Sequence, residues 1–164
     1  MTKRSLVSTR ILQLTALLFL TLTTGVFWGT WFTLTRSIND FSAAEFIHIG
    51  KVIVANVANP MRVILPGTIL LLGLSLLVAF GQNELSFYFI MTSLALMIIT
   101  LVITVAVEVP IDNQIITWTA ATAPENWEEI RETWATYHIL RTFTALGSMV
   151  AFGAGILWVE EHQV

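Results

Sequence analysis

Four long apolar runs divide the chain into alternating hydrophobic and polar stretches. They cover about residues 11–33, 61–80, 87–109 and 135–158. Each has roughly the 20 residues that a helix needs to cross the hydrocarbon of a bilayer. Only six residues, 81–86, separate the second run from the third, which favours an antiparallel helical hairpin. The pattern predicts an all-α fold, a four-helix transmembrane bundle.

The stretch before the second run has a different periodicity. Residues 42–59 are too polar for lipid, but they repeat with the 3.6-residue period of a helix. One predicted face carries Glu45, His48, Val52, Ala55, Asn56 and Asn59. We therefore expect helix 2 to begin near Ser42, outside the lipid, to kink near Pro60 and then to cross the membrane. Helix 4 is also expected to be prolonged past the lipid, with a start near Pro124.

Composition supports a membrane protein and excludes several other classes. Of 164 residues, 55% are hydrophobic and 12% are charged, about half the charge of a soluble domain. The net charge is −3, so no basic surface for nucleic acid is expected. The absence of cysteine excludes disulfides and thiolate chemistry. The length favours a single domain over residues 1–164.

Glu108 lies inside the third apolar run and needs a partner, because an unpaired carboxylate is costly at membrane depth. In an up-and-down bundle, Glu108 reaches the same end as the entries of helices 2 and 4. On the predicted face of helix 4, His138 and Arg141 are one turn apart. A salt bridge from Glu108 to Arg141 is the expected pairing. The polar residues of helix 2 are expected in the same pocket; they are Glu45, His48, Lys51, Asn56, Asn59 and Arg62.

Two motifs, VPIDN at 109–113 and WATYHILRT at 134–142, resemble the anthrone oxygenase-like family of small four-helix membrane proteins, most of unknown function. The resemblance implies oxidation of an aromatic polyketide or quinone-like substrate by dioxygen. The functional residues that it implies here are Asn113, Trp134, His138 and Arg141. The family more often has amides where this chain has Glu108 and Asp112, and these acids make the expected pocket better suited to a cation.

A metal site is a second hypothesis for the same pocket. Glu45 and His48 are three residues apart, a spacing that lets a carboxylate and an imidazole share one metal. The complete predicted ligand set is Glu45, His48, Glu108, Asp112 and His138, for a transition metal such as iron, copper or zinc. The alternative is a structural network of ion pairs. His138 is otherwise expected to act as a general base, and Arg141 to stabilise an anion.

These observations favour a small integral-membrane oxidoreductase that acts with dioxygen on a lipophilic aromatic or quinol-like molecule. The alternatives are a non-catalytic accessory subunit of a larger membrane complex and a small-molecule or ion binder. Expected partners are the lipid bilayer, a lipophilic small molecule, and either further protomers or a larger membrane complex. Two sets of small residues, Gly25 with Gly29 and Gly147 with Ala151 and Gly155, permit close helix packing, either within the bundle or between protomers. The basic residues before the first run favour cytoplasmic termini in a prokaryotic cytoplasmic membrane.

Overall fold

The structure, a computed structural model, describes residues 3–81 and 84–161. Its helices are α1 (Lys3–Thr33), α2 (Ala43–Ala79), α3 (Glu84–Ile103), α4 (Val109–Ile115) and α5 (Trp127–Glu161). A 3-10 helix (Thr35–Asp40) follows α1, and a π-helical turn (Thr104–Glu108) joins α3 to α4. Four of the continuous helical stretches are long and apolar enough to cross a membrane. The predicted four-helix bundle is confirmed.

A seven-residue repeat of buried positions organises the bundle. The buried residues of the repeat include Ala16, Leu20, Thr23 and Phe27 in α1; Leu65, Thr68, Leu72, Ser75 and Ala79 in α2; and Ser86, Ile90, Ser93, Met97 and Thr100 in α3. Successive steps of three and four residues keep one seam of each helix against its neighbours, as in coiled coils. Helix α1 packs against α2 and α5, and α3 packs against α2 and α5. The four spans therefore form a closed ring.

Buried hydroxyl groups connect neighbouring helices inside this ring. Thr23 Oγ1 and Thr68 Oγ1 are 3.0 Å apart between α1 and α2, and Ser93 Oγ and Ser148 Oγ are 2.9 Å apart between α3 and α5. Lipid tails do not drive helices together by the hydrophobic effect, so close packing and such hydrogen bonds contribute more of the association. These bonds fix which helix faces meet.

The small residues predicted to permit close contact divide into two groups. A Cβ on Gly155 would lie 2.9 Å from Ile90, and one on Gly147 would lie 3.2 Å from Leu96, so both glycines allow α5 to approach α3. A Cβ on Gly25 or Gly29 would have no atom within 4 Å. Gly147 and Gly155 therefore pack inside the bundle, and Gly25 and Gly29 lie on its outer surface.

Helix α2 begins where its sequence predicts. Ser42 is the N-cap: its Oγ accepts from the Glu45 N–H at 3.5 Å, and its own N–H donates to Glu45 Oε2 at 2.8 Å, which together form a capping box. The helix then continues through Pro60 and Pro66 to Ala79 without interruption. The depth at which it enters lipid stays a prediction.

The helix of the third apolar run extends past the end of that run. The helix does not stop at Val109 but passes through the π turn, in which the Val109 N–H donates to the Thr104 carbonyl, and continues to Ile115. Pro110 lacks an N–H and its ring crowds the carbonyl four residues earlier, so a wider turn just before it relieves both conflicts. Helix α5, which was predicted as helix 4 with a start near Pro124, begins at Trp127.

Two apolar cores are stacked along the bundle. The larger contains Leu20, Leu72, Met97 and Phe152 and lies within the spanning helices. The smaller joins the 3-10 helix, the first turns of α2, α4 and the start of α5, and contains Ile38, Phe46, Ile47, Ile111, Ile115, Trp118 and Trp134. Along α3–α4 and along α5, Glu108, His138 and Arg141 come between the two cores, whereas buried Arg131 lies beside the smaller core, where it donates to the Phe41 carbonyl.

Candidate functional site

Five residues form what we call the polar layer: Glu108, Asp112, Trp134, His138 and Arg141. Glu108 is the last residue of the π turn and is 0% exposed. Its Oε2 lies 2.9 Å from Arg141 Nη2 in α5. The salt bridge expected from the sequence is therefore present and almost entirely shielded from solvent. Removing the charges from water is costly, so their close approach is what makes the burial tolerable.

His138 connects Arg141 to helix α1. Arg141 Nε and Nη2 lie 3.2 and 2.8 Å from His138 Nδ1, and His138 Nε2 lies 3.1 Å from the Phe27 carbonyl oxygen. A guanidinium can only donate, so Nδ1 accepts and Nε2 carries the hydrogen that is donated to Phe27. Both ring nitrogens are thus occupied, and the imidazole has no free lone pair in this arrangement.

Aromatic rings enclose these charges on two sides. The Trp134 ring stacks on His138 with a centroid distance of 4.9 Å and an interplanar angle of 13°. Its indole Nε1 donates to Asp112 Oδ1 at 3.1 Å. On the other side, the guanidinium of Arg141 lies 4.7 Å from the centroid of the Phe27 ring. Stacking and cation–π contact therefore hold the imidazole and guanidinium in one orientation.

The polar layer contains one buried acceptor without a partner. Glu108 Oε1 has no hydrogen bond among the described residues. Oε2 also lacks a bond of good geometry, although it is in ion-pair contact with Arg141. We interpret the 2.9 Å contact as a charge pair, because attraction between ions depends on distance more than on angle. The Glu108 carboxylate therefore has capacity to accept a proton or a hydrogen bond from another molecule.

The polar residues of α2 are not part of this layer, contrary to our expectation. Glu45 is exposed and its carboxylate caps the helix, and His48 is exposed one turn later. The face of α2 that packs inward carries Phe46 and Ile47, with Gly50 against Ile115 of α4. An amphipathic helix that packs on an apolar core buries its apolar side, so its polar side faces outward.

The other predicted residues differ in position. Asn113 is exposed in α4, next to Asp112, which is half-buried.

Phe27 was not predicted as a site residue, although it supplies both a ring and a carbonyl to the layer. Its contribution comes largely from the backbone, so residue type gave no signal for it. Thr142 also donates to the His138 carbonyl, at 2.7 Å.

The predicted metal site does not assemble in the part of the chain that the structure describes. No three His, Asp or Glu side chains there are grouped as a metal ion would require. Glu108 and Asp112 instead interact with Arg141 and Trp134, and a cation beside them would compete with the guanidinium. The set Glu45, His48, Glu108, Asp112 and His138 stays a prediction that this arrangement does not favour.

A small apolar cavity adjoins the layer. Its volume is about 10 Å³, about the space that one water molecule needs. Asp112 and Trp134 form its polar side, and the remaining wall is Leu34, Ile38, Phe41, Phe46, Ile49, Gly50, Ile53 and Ile115. The cavity is far smaller than an aromatic ring system, so any such molecule must displace wall residues to reach Asp112.

Fold and site together define a four-helix integral membrane protein with a buried charged layer between two apolar cores. The chain belongs to the anthrone oxygenase family, since the sequence model described as anthrone oxygenase matches residues 55–151. The matched region contains the whole polar layer and Asn113, but neither Glu45 nor His48. No curated protein and no solved structure has a significant match to the chain.

Proposed function

We propose that the protein is an integral-membrane oxygenase that uses dioxygen to oxidise a lipophilic aromatic or quinol-like molecule at the polar layer. The observation that carries this proposal is the coincidence of family and site. The region that matches the anthrone oxygenase family includes every residue of the buried layer. A charged layer inside an apolar bundle is costly to maintain, which is typical of a functional site in a membrane protein.

The proposed reaction begins with removal of a proton from an acidic C–H or O–H group of the substrate. For an anthrone, the resulting carbanion transfers electrons to dioxygen. One oxygen atom becomes the new ring carbonyl, and the other leaves as water with the two hydrogens lost from carbon. The unpartnered Oε1 of Glu108 is the best placed proton acceptor, because the imidazole of His138 is engaged at both nitrogens.

The remaining residues of the layer have supporting roles in this proposal. Arg141 stabilises the anion formed by the substrate, since its guanidinium is the positive charge of the layer. His138 and Phe27 hold Arg141 in place. Trp134 fixes Asp112 and offers an aromatic face, and Asn113 lies at the outer edge beside Asp112.

Oxygen uptake with anthrone tests the proposal directly. The purified protein in detergent should consume dioxygen and form anthraquinone faster than anthrone oxidises spontaneously. Glu108→Gln keeps the shape of the side chain but removes its basic oxygen. The rate of oxygen uptake should fall about 100-fold or more, because general-base catalysis of this kind contributes about that much. Glu129→Gln, at an exposed position in the first turn of α5, is the matched control and should retain the wild-type rate.

A second candidate function is that of a non-catalytic subunit of a larger membrane complex. The small volume of the cavity favours it, because the space beside Asp112 and Trp134 does not hold an aromatic substrate. In that case the protein should show no oxygen uptake above the spontaneous rate and should co-purify with a large partner. Elemental analysis of the same sample tests the metal hypothesis, and a stoichiometric metal would restore it.

We also propose that residues 1–164 form one domain with both termini in the cytoplasm of a prokaryote. The charge distribution supports this topology, because the most basic segment precedes the first span. Buried Arg141 belongs to the polar layer and is not counted as a loop charge. Accessibility of a cysteine introduced in place of Ala120, in the exposed link before α5, would report the side on which that link lies.

A further inference from the structure

Arg36 lies in the 3-10 helix that follows α1, and its exposed side chain rests on aromatic rings. The centre of its guanidinium is 5.4 Å from the centroid of Phe32 and 5.9 Å from that of Trp31. The neighbouring Thr35 and Ile38 are buried, and Ile38 packs in the smaller apolar core. The backbone on both sides is therefore anchored, which holds the guanidinium in one place at the surface.

The positive charge of Arg36 is not neutralised within the described part of the chain. No described carboxylate forms an ion pair with it, and its identified contacts are the two rings. Contact with ring faces uses the flat surface of a guanidinium, while the five N–H donors point outward in the plane. Arg36 thus presents a fork of hydrogen-bond donors to its surroundings.

The position of Arg36 along α1 indicates what surrounds it. The apolar run of the first span ends near Thr33, three residues earlier. Trp28 and Phe32 are exposed on the outer surface just before that end, at 39% and 53%, and their rings stack at 6.1 Å. Exposed tryptophan at the end of a spanning helix is typical of the headgroup region of a bilayer. Arg36 is therefore placed at the level of lipid phosphates.

We propose that Arg36, with Trp31 and Phe32, forms a binding site for the phosphate of an anionic phospholipid. Charge complementarity identifies the occupant. A phosphodiester accepts two parallel hydrogen bonds from a guanidinium, and in an anionic lipid no head-group cation offsets the negative charge that pairs with Arg36. The exposed rings of Trp28 and Phe32 lie on the side of Arg36 nearer the spanning part of α1, where the glycerol backbone of the same lipid would lie. Since the side chain is already oriented by its ring contacts, little conformational entropy is lost on binding.

Native mass spectrometry with added phosphatidylglycerol tests the site. Arg36→Gln should weaken binding of phosphatidylglycerol about tenfold, the loss expected for a charge-assisted hydrogen bond. Arg62→Gln is the matched control, because Arg62 is also exposed but contacts the side chain of Asn59, at 3.4 Å, instead of aromatic rings. Its binding of phosphatidylglycerol should equal that of the wild type. Equal melting temperatures without lipid confirm folding, and Arg36→Lys replaces the glutamine variant if that variant is unfolded.

Three outcomes would overturn the proposal. One is undiminished phosphatidylglycerol binding by the Arg36 variant, and another is an equal loss in the Arg62 variant, which would indicate diffuse charge attraction. The third is equal binding of phosphatidylcholine and phosphatidylglycerol by the wild type, or equal stabilisation of the wild type by inorganic phosphate and by phosphatidylglycerol. None of these results depends on catalysis, so the oxygenase proposal is tested separately.

Discussion

Removing Arg141 should destabilise the protein more than any surface substitution. Arg141→Met leaves the fully buried Glu108 carboxylate without its counter-ion and His138 Nδ1 without its donor. At 2.9 Å and an effective dielectric constant of about 20, the attraction between the two charges is about 6 kcal/mol. Desolvation offsets much of that attraction, and loss of one partner from buried pairs costs about 3–5 kcal/mol. We expect a loss of about 4 kcal/mol in the free energy of unfolding.

A double-mutant cycle separates the ion pair from the packing of the side chain. With Glu108→Gln added to Arg141→Met, no buried charge is left unpaired, so the double variant should be more stable than the sum of the single effects predicts. The expected coupling is about 2 kcal/mol. Unfolding in a dodecyl sulphate titration, followed by circular dichroism, measures each free energy. Arg62→Met at an exposed position is the control and should change stability by less than about 0.5 kcal/mol.

The reasoning would be refuted if the stability of Arg141→Met were within about 1 kcal/mol of the wild type, the upper end of the range for exposed ion pairs. A coupling energy of zero would also refute the reasoning, because it would mean that the side chains of Glu108 and Arg141 do not interact. Either result would require a different account of how Glu108 is tolerated inside the bundle.

Three further predictions use the same unfolding assay or hydrogen exchange. Trp134→Phe keeps an aromatic ring but removes the donor to Asp112, so stability should fall by at least about 1 kcal/mol; an unchanged value would contradict the observed hydrogen bond. Gly155→Leu should cost about 1–3 kcal/mol because its side chain would enter α3, whereas Gly29→Leu should leave the monomer unchanged, and equal effects would argue against this packing. Ser42→Ala should lose about 1 kcal/mol and speed amide exchange in the first turn of α2, and protection equal to the wild type would exclude the cap.

Local features of the sequence were sufficient to predict the four spanning helices. The length of each apolar run indicated four spans because hydrocarbon thickness sets a minimum length. The helical period of residues 42–59, with Ser42 as a cap, predicted the start of α2, and Ser42 is its N-cap in the structure. The Glu108–Arg141 pair was also predictable, since a carboxylate in an apolar run requires a cation and Arg141 shares a helix face with His138.

The third dimension decided how these parts meet. The polar face of α2 was evident from periodicity, but its outward direction depends on Phe46 and Ile47 packing in the smaller core, a long-range contact. The continuation of the helix past Pro110 involves a π turn, and the last residue of that turn, Glu108, pairs with Arg141 of α5. The hydrogen-bonding state of His138 depends on a carbonyl of α1, 111 residues away in sequence. Periodicity specifies which side of a helix is apolar, but only the packed neighbours determine what each polar atom contacts.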